Sequence, residues 1–303
     1  MTAIRRGPLT QSFWFASMYL VLITVSSPAF AGPVGDVVKA GNVSINTIPR
    51  PDHVVIVIEE NKSYTQIIGN VAAPYINALA NDGALFTQSF GVTHPSQPNY
   101  LALFSGTTHG IIDDRCPLSL SGDNLATELI RKVLSFAIYS ESMPSAGYTG
   151  CVFAHYFRKH NPVANWSWKN SAPPMNLPFD MFPSNYSQLP TVSIVVPNQL
   201  NDMHDGAPLP SIIRGDRWLK EKLDSYVKWA ATHNSLLILT WDEDNGSSDN
   251  HIPTIFVGPM VKRGIYKTRV LHYHVLRTII DMYELRPLGE TNKVTPITDI
   301  WTR

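Results

Sequence analysis

The amino-acid sequence predicts an α/β protein with a mainly parallel central sheet. Strand and helix patterns alternate over most of the 303 residues, as they do when crossover helices link parallel strands. The first strand, Val54–Ile58, is a pure run of Val and Ile, the composition of a strand covered on both faces. Three apolar runs, within His53–Asn61, Thr191–Asp205 and Ser235–Gly246, stop at clusters of polar side chains. In open α/β sheets, ligands bind in the crevice beyond the carboxyl ends of the strands, so these three ends point to one shared site.

After the first strand, Pro74–Asp82 reads as a helix with Ile76, Leu79 and Ala80 on one face and Gly83 as its stop. Ala84–Phe90 is a second strand. An apolar helix, Tyr100–Phe104, follows the His94-Pro95-Ser96 turn. Asp123 or Asn124 caps a helix that continues through Val133, and Phe136–Tyr139 is a strand. Residues 158–190 are rich in Pro, Asn and aromatic side chains and show neither helical nor strand period. Trp166, Trp168, Phe179, Phe182 and Tyr186 argue against disorder there. The segment is expected to be an ordered insertion near the site, lining its pocket. Gly215–His233 is a long amphipathic helix with Trp218, Leu219, Leu223, Tyr226, Val227 and Ala230 on one face. The strands Leu236–Thr240 and Ile252–Val257 and a closing helix, His274–Leu285, complete the pattern.

The 24 basic and 24 acidic residues cancel, so no basic field exists to attract nucleic acid, and no nucleic-acid-binding role is expected. Arg5 and Arg6 precede an apolar stretch, Phe13–Val25, and the small-x-small Ala29-Phe30-Ala31. That pattern predicts a signal peptide over residues 1–31, cleaved after Ala31. The apolar run is short for a bilayer span, so no stable membrane insertion is expected after its removal. The expected product is an exported chain, periplasmic or extracellular, with residues 32–303 forming a single domain. Cys116 and Cys151 are the two cysteines, and a disulfide or two buried thiols both fit them.

Chemistry-bearing residues sit where the strands end. Ser96 lies at the start of an apolar helix, with Pro98 in its first turn and Asn99 three residues on. It reads either as an N-cap or as a nucleophile stabilised by the helix N-terminus and a cation. Glu60, Asn61, Asp242 and Glu243 place oxygen ligands at strand ends. Their repulsion would be relieved by a divalent ion, and an all-oxygen set suits Mg²⁺, Ca²⁺ or Mn²⁺. Solvated acidic turns explain either cluster alone and account less well for both. His204 and His272 lie near element boundaries and could stabilise phosphoryl oxygens or protonate a leaving group. His94, His109 and His251 are weaker candidates of the same kind. Competing chemistries lack their motifs: no GxSxG elbow, HExxH helix, GxxxxGK[ST] loop or GxGxxG turn occurs.

Five separated blocks, VIVIEENKSY, THPSQPNYLALFSG, NDMHDG, TWDEDNG and HYHVLRTIIDMYEL, resemble the phosphoesterase family. That family contains bacterial acid phosphatases and phospholipases C within the alkaline-phosphatase-like superfamily. The resemblance implies a three-layer sandwich of the alkaline-phosphatase type with a central, mostly parallel sheet. It implies one divalent metal ion held by Glu60, Asn61, Ser96, Asp242 and Glu243. Ser96 would be the nucleophile that forms a phosphoserine, Asn99 would hold the transferred group, and His204 and His272 would contact phosphate or move protons. Zinc-dependent relatives in the wider superfamily carry a second ion, for which Asp202, His204 and His272 could serve, although Asn61 and Glu243 resemble the one-metal branch. The expected activity is that of a metal-dependent phosphomonoesterase acting on a phosphate ester. A phospholipase C-type phosphodiesterase and a non-enzymatic binding protein on the same scaffold are the alternatives.

Overall fold

The computed structural model describes residues 48–168 and 175–302, so the predicted signal peptide and the lead-in after it lie outside the described residues. Eight strands make the central sheet: β1 (His53–Glu59), β2 (Ala84–Phe86), β3 (Phe136–Ser140), β4 (Asn176–Pro178), β5 (Val192–Val196), β6 (Ser235–Trp241), β7 (Thr254–Val257) and β8 (Gly264–Tyr266). Their spatial order is β8-β2-β7-β6-β1-β5-β3-β4. β1 lies between β5 and β6 and runs parallel to both. Only β7 runs against its neighbours, β2 and β6. The mostly parallel sheet is therefore as expected, and β1, β5 and β6 bring their carboxyl ends to one edge.

Period-2 alternation splits each strand between two cores. Val54, Ile56 and Ile58 pack with α2 (Ser96–Ser105), α3 (Leu125–Arg131) and α5 (His272–Met282). Val55 and Val57 face α1 (Pro74–Asp82) and α4 (Pro208–Ala230), where Ile76, Leu79, Trp218, Leu223 and Tyr226 are buried. A sheet covered in this way explains why the strands read as continuous Val/Ile runs.

Several boundaries differ from the sequence expectation. The predicted strand over residues 84–90 divides, because Ser89–Phe90 leaves the main sheet to pair with Val270–Leu271. The amphipathic helix starts at Pro208, seven residues before Gly215, since a proline is tolerated in the first turn, where its missing N–H costs nothing. In the described part of the 158–190 segment, short 3-10 turns flank the strand β4. Phe179, Phe182 and Tyr186 stack against one another and against Trp218 and Tyr226 of α4. Trp166 packs edge-on to Phe104. Trp166 is buried in one core and Phe179, Phe182 and Tyr186 are half-buried against the other, while His160 stands beside Glu60 and Asp202 at the carboxyl edge of the sheet.

A buried carboxylate joins α3 to the chain after α5. Glu128 is almost fully buried and accepts from Arg286 through Nε (3.1 Å) and Nη2 (2.8 Å), and also from Arg131. Burial alone would raise its pKa, but the hydrogen bonds and charges of Arg286 and Arg131 hold it below the ordinary glutamate value. A depressed carboxylate stabilises the fold fully above its unfolded pKa and loses that contribution as pH falls through the folded value. Glu128→Gln is therefore expected to lower the urea midpoint near neutral pH. The difference from the parent chain should shrink in acid, as pH falls through the depressed folded pKa and the parent glutamate takes up its proton.

Candidate functional site

The end of β1 turns at Asn61, whose φ of 49° is a left-handed conformation that asparagine tolerates. Strand alternation sends Glu59 and Glu60 to opposite layers. Glu59 is buried on the α4 side with both oxygens unpartnered, whereas Glu60 faces α2. Ser96 is the first residue of α2, and Pro95, not Ser96, occupies the cap. The serine is thus released from capping. Its Oγ lies 3.0 Å from Glu60 Oε2 and 3.1 Å from Glu243 Oε1. Asp242 and Glu243 follow β6. The Asp242 N–H donates to the Glu59 carbonyl (3.0 Å), and Asp242 Oδ1 accepts from the Asn61 N–H (3.3 Å). Asn61 Nδ2 donates to Glu243 Oε1 at 3.1 Å.

The five predicted oxygen-bearing residues, Glu60, Asn61, Ser96, Asp242 and Glu243, therefore meet at one point. Asn61 Oδ1 and Asp242 Oδ2 are buried without any hydrogen-bond partner. Orphaned acceptors among carboxylates are what a cation site looks like without its cation, because each would otherwise carry a full desolvation cost. The carboxyl groups report the same imbalance. Burial, reinforced by Glu60 and Glu243, pushes Asp242 well above the aspartate range. Burial also raises Glu243, against the opposing hydrogen bond and charge of His94. Glu60 is raised by burial despite the charge of Lys159 and the hydrogen bond from Tyr100.

The histidines divide. His272, the first residue of α5, is buried, and its Nε2 meets the Asp242 carbonyl at 2.6 Å. Burial lowers its pKa to about 4, so it is a neutral donor that fixes the Asp242–Glu243 turn. His204 points Nδ1 at Asp205 (2.9 Å) and stays a third exposed at the rim. His94, one of the weaker candidates, is hydrogen-bonded through Nδ1 to Glu243 Oε2. The Asp202, His204 and His272 side chains do not gather. Instead Asp202 joins Glu60 and His160, a buried group whose ligand atoms all lie within 4.8 Å of one another and which could bind a metal. His160 Nε2 sits 3.1 Å from Glu60 Oε1 without hydrogen-bond geometry, and its ring stacks on Tyr100.

Sequence reasoning passed over His160, Tyr100 and Lys159. Tyr100 donates to Glu60 Oε1 at 2.6 Å, and its place one helical turn after Ser96 was an available signal. His160 and Lys159 lie in an aperiodic stretch that offered none. Cys116 and Cys151 form a disulfide.

The fold is the α/β architecture also found in solved members of the alkaline phosphatase superfamily. A solved member of that superfamily from Vibrio parahaemolyticus superposes with a TM-score of 0.57 at 12% identity, covering 82% of this chain and 72% of that one. A profile of the phosphoesterase family matches residues 70–286, and the chain belongs to that family. It is accordingly a hydrolase acting on phosphoric ester bonds. A phosphatidylinositol-3-phosphatase of Mycobacterium tuberculosis is 45% identical, aligned over 97% of this chain and 96% of its own length. A phosphate-repressible acid phosphatase of Penicillium chrysogenum is 30% identical over 71% of this chain, which spans 55% of that protein. A non-specific phospholipase C of Arabidopsis thaliana is 23% identical over 62% of this chain and 35% of its own length.

Asn99 is fully engaged within the fold. Its Oδ1 accepts from the N–H groups of Val92 (2.8 Å) and Thr93 (3.1 Å), and its Nδ2 donates to the carbonyls of Thr93 (2.7 Å) and Pro95 (3.1 Å). It holds the loop that presents Ser96. Asn99→Ala is expected to cost about 1–3 kcal/mol for the buried partners left unpaired, measured by urea denaturation. An unchanged midpoint would instead mean that the amide is free to serve substrate alone.

Proposed function

We propose that the protein is an exported, metal-dependent phosphomonoesterase that acts through a phosphoserine on Ser96. The observation that carries this reading is the placement of Ser96 Oγ between Glu60 and Glu243, beside the orphaned oxygens of Asn61 and Asp242. The donor set is all oxygen and fits one hard divalent ion such as Mg²⁺, Ca²⁺ or Mn²⁺. When bound, such an ion supplies Lewis-acid stabilisation of negative charge on oxygen.

The chain's own residues do the rest. Burial of Glu60, Asp242 and Glu243 excludes water from the serine and keeps the local dielectric low. Ser96 Oγ passes its proton to a carboxylate it already donates to, Glu60 or Glu243, and attacks phosphorus. The Oγ–P bond forms as the bond from phosphorus to the leaving oxygen breaks, and that oxygen takes up a proton. Water then cleaves the Oγ–P bond, releasing phosphate and restoring the hydroxyl. His204 is the half-open group at the rim suited to protonating the leaving oxygen, whereas His272 and Asn99 position the Asp242–Glu243 turn and the Ser96 loop.

The substrate class is a phosphate monoester. The mycobacterial relative, named as a phosphatidylinositol-3-phosphatase and aligned almost end to end, supports a monoester substrate. Export is supported by the predicted signal sequence and by the Cys116–Cys151 disulfide, a bond that persists in oxidising compartments.

Ser96→Ala is expected to abolish release of phosphate from p-nitrophenyl phosphate while leaving the denaturation midpoint within about 1 kcal/mol of the parent, because no cap is lost. Turnover retained in that variant would remove Ser96 from the chemistry. Chelation should abolish activity, and restored Mg²⁺, Ca²⁺ or Mn²⁺ should recover it. Asp242→Asn is expected to weaken ion binding by about 100-fold in calorimetric titration, if a direct ligand matters at least as much as the outer-shell partners. Release of inorganic phosphate from phosphatidylinositol 3-phosphate, set against release of phosphocholine from phosphatidylcholine, separates the monoesterase from the diesterase.

A further inference from the structure

We propose that the cavity walled by Cys116, Cys151, Val152 and Phe157, with Asp114 and Lys159 as its floor, receives the leaving group of the substrate and selects for an apolar one. The proposal rests on the reading of Ser96 as the phosphoryl acceptor. The cavity measures about 310 Å³, at the small end of ligand-sized pockets.

Its floor belongs to the surroundings of the serine. Asp114 Oδ1 accepts from the N–H of Gln97, the residue after Ser96, at 2.9 Å. Asp114 Oδ2 accepts from Lys159 Nζ, also at 2.9 Å. The residue after Lys159, His160, stands 3.1 Å from the Glu60 carboxylate. A phosphate ester seated on Ser96 therefore has this cavity beside it. The paired Asp114 and Lys159 leave little net charge on the floor, so the space favours an uncharged leaving group.

The wall is apolar. It comes from the hairpin that pairs Val152–Phe153 with Tyr156–Phe157, tied to the 113–116 loop by the disulfide. A two-stranded hairpin contributes little stability by itself, and this one leaves Val152 (51%) and Phe153 (49%) exposed. Val152 lines the cavity and is half-exposed, so its apolar side chain is open to a ligand there. The aromatics of residues 179–186 pack against α4 and do not line this cavity.

The test uses the full chain, ethyl-, butyl- and hexylphosphonate in calorimetric titrations, and the matching alkyl phosphates in turnover assays. Affinity and kcat/KM are expected to rise with chain length, by up to about fourfold per methylene until the cavity is full. Val152→Asp, at a half-exposed position, should flatten that dependence while the inhibition constant of orthovanadate stays within about twofold of the parent. Val152→Leu should retain the dependence and so control for a general disturbance of the hairpin. Equal affinities for ethyl- and hexylphosphonate, or a chain-length gain that survives in Val152→Asp, would overturn the proposal. If the phosphonates show the gain but no phosphate ester turns over, the pocket stands and the catalytic reading of Ser96 falls.

Discussion

The concentration of buried carboxyl groups around a single hydroxyl governs this structure. Glu60, Asp202, Asp242 and Glu243 are all nearly or fully buried at the carboxyl edge of one sheet. Burial pushes each of their pKa values upward, and for Asp202 and Asp242 the charge of Glu60 adds to it. Among the described residues, His94 and Lys159 offset this only in part. Lys62 Nζ donates to the carbonyls of Met203 and Asn61, and Lys159 is paired with Asp114. What remains is an electrostatic deficit that a divalent ion would fill, with a serine hydroxyl at its centre.

Much of the remaining architecture exists to keep those groups where they repel. Backbone hydrogen bonds between successive strand ends join Asp202 to Glu60 and Glu59 to Asp242, so the acidic turns are positioned by the sheet and not by their own side chains. His272, neutral because it is buried, clamps the carbonyl of Asp242 from the start of α5. Asn99 uses both ends of its amide to hold the loop ahead of Ser96. A site assembled on strand termini and helix starts moves less than one on free loops. That matters when catalysis depends on oxygen positions held to a fraction of an ångström.

Similarity to proteins of related chemistry fits this picture without dictating it. The mycobacterial phosphatase shares nearly the whole length of the chain, whereas the fungal acid phosphatases share about half of theirs. The region of this chain least explained by the common centre is the disulfide-bound hairpin beside it. It adds apolar surface next to polar chemistry, where discrimination among phosphate esters would be made.

The sequence by itself determined the α/β class, the strands that converge, and the oxygen-bearing residues that meet, because each depends on local pattern. Val/Ile runs mark buried strands, a helix start marks Ser96, and acidic residues at strand ends mark the crevice. Tertiary structure alone decided which neighbour faces the site. Glu59 and Glu60 are adjacent in sequence yet lie in opposite layers, with only Glu60 beside Ser96. It also decided that Ser96 is turned toward carboxylates instead of capping its helix, and that His160 joins Glu60 and Asp202 from a stretch with no periodicity. Aromatic residues 179–186, legible as ordered, were set half-buried against the core by the packing of α4. Residues without a repeating pattern take their place from long-range contacts, which a linear reading does not contain.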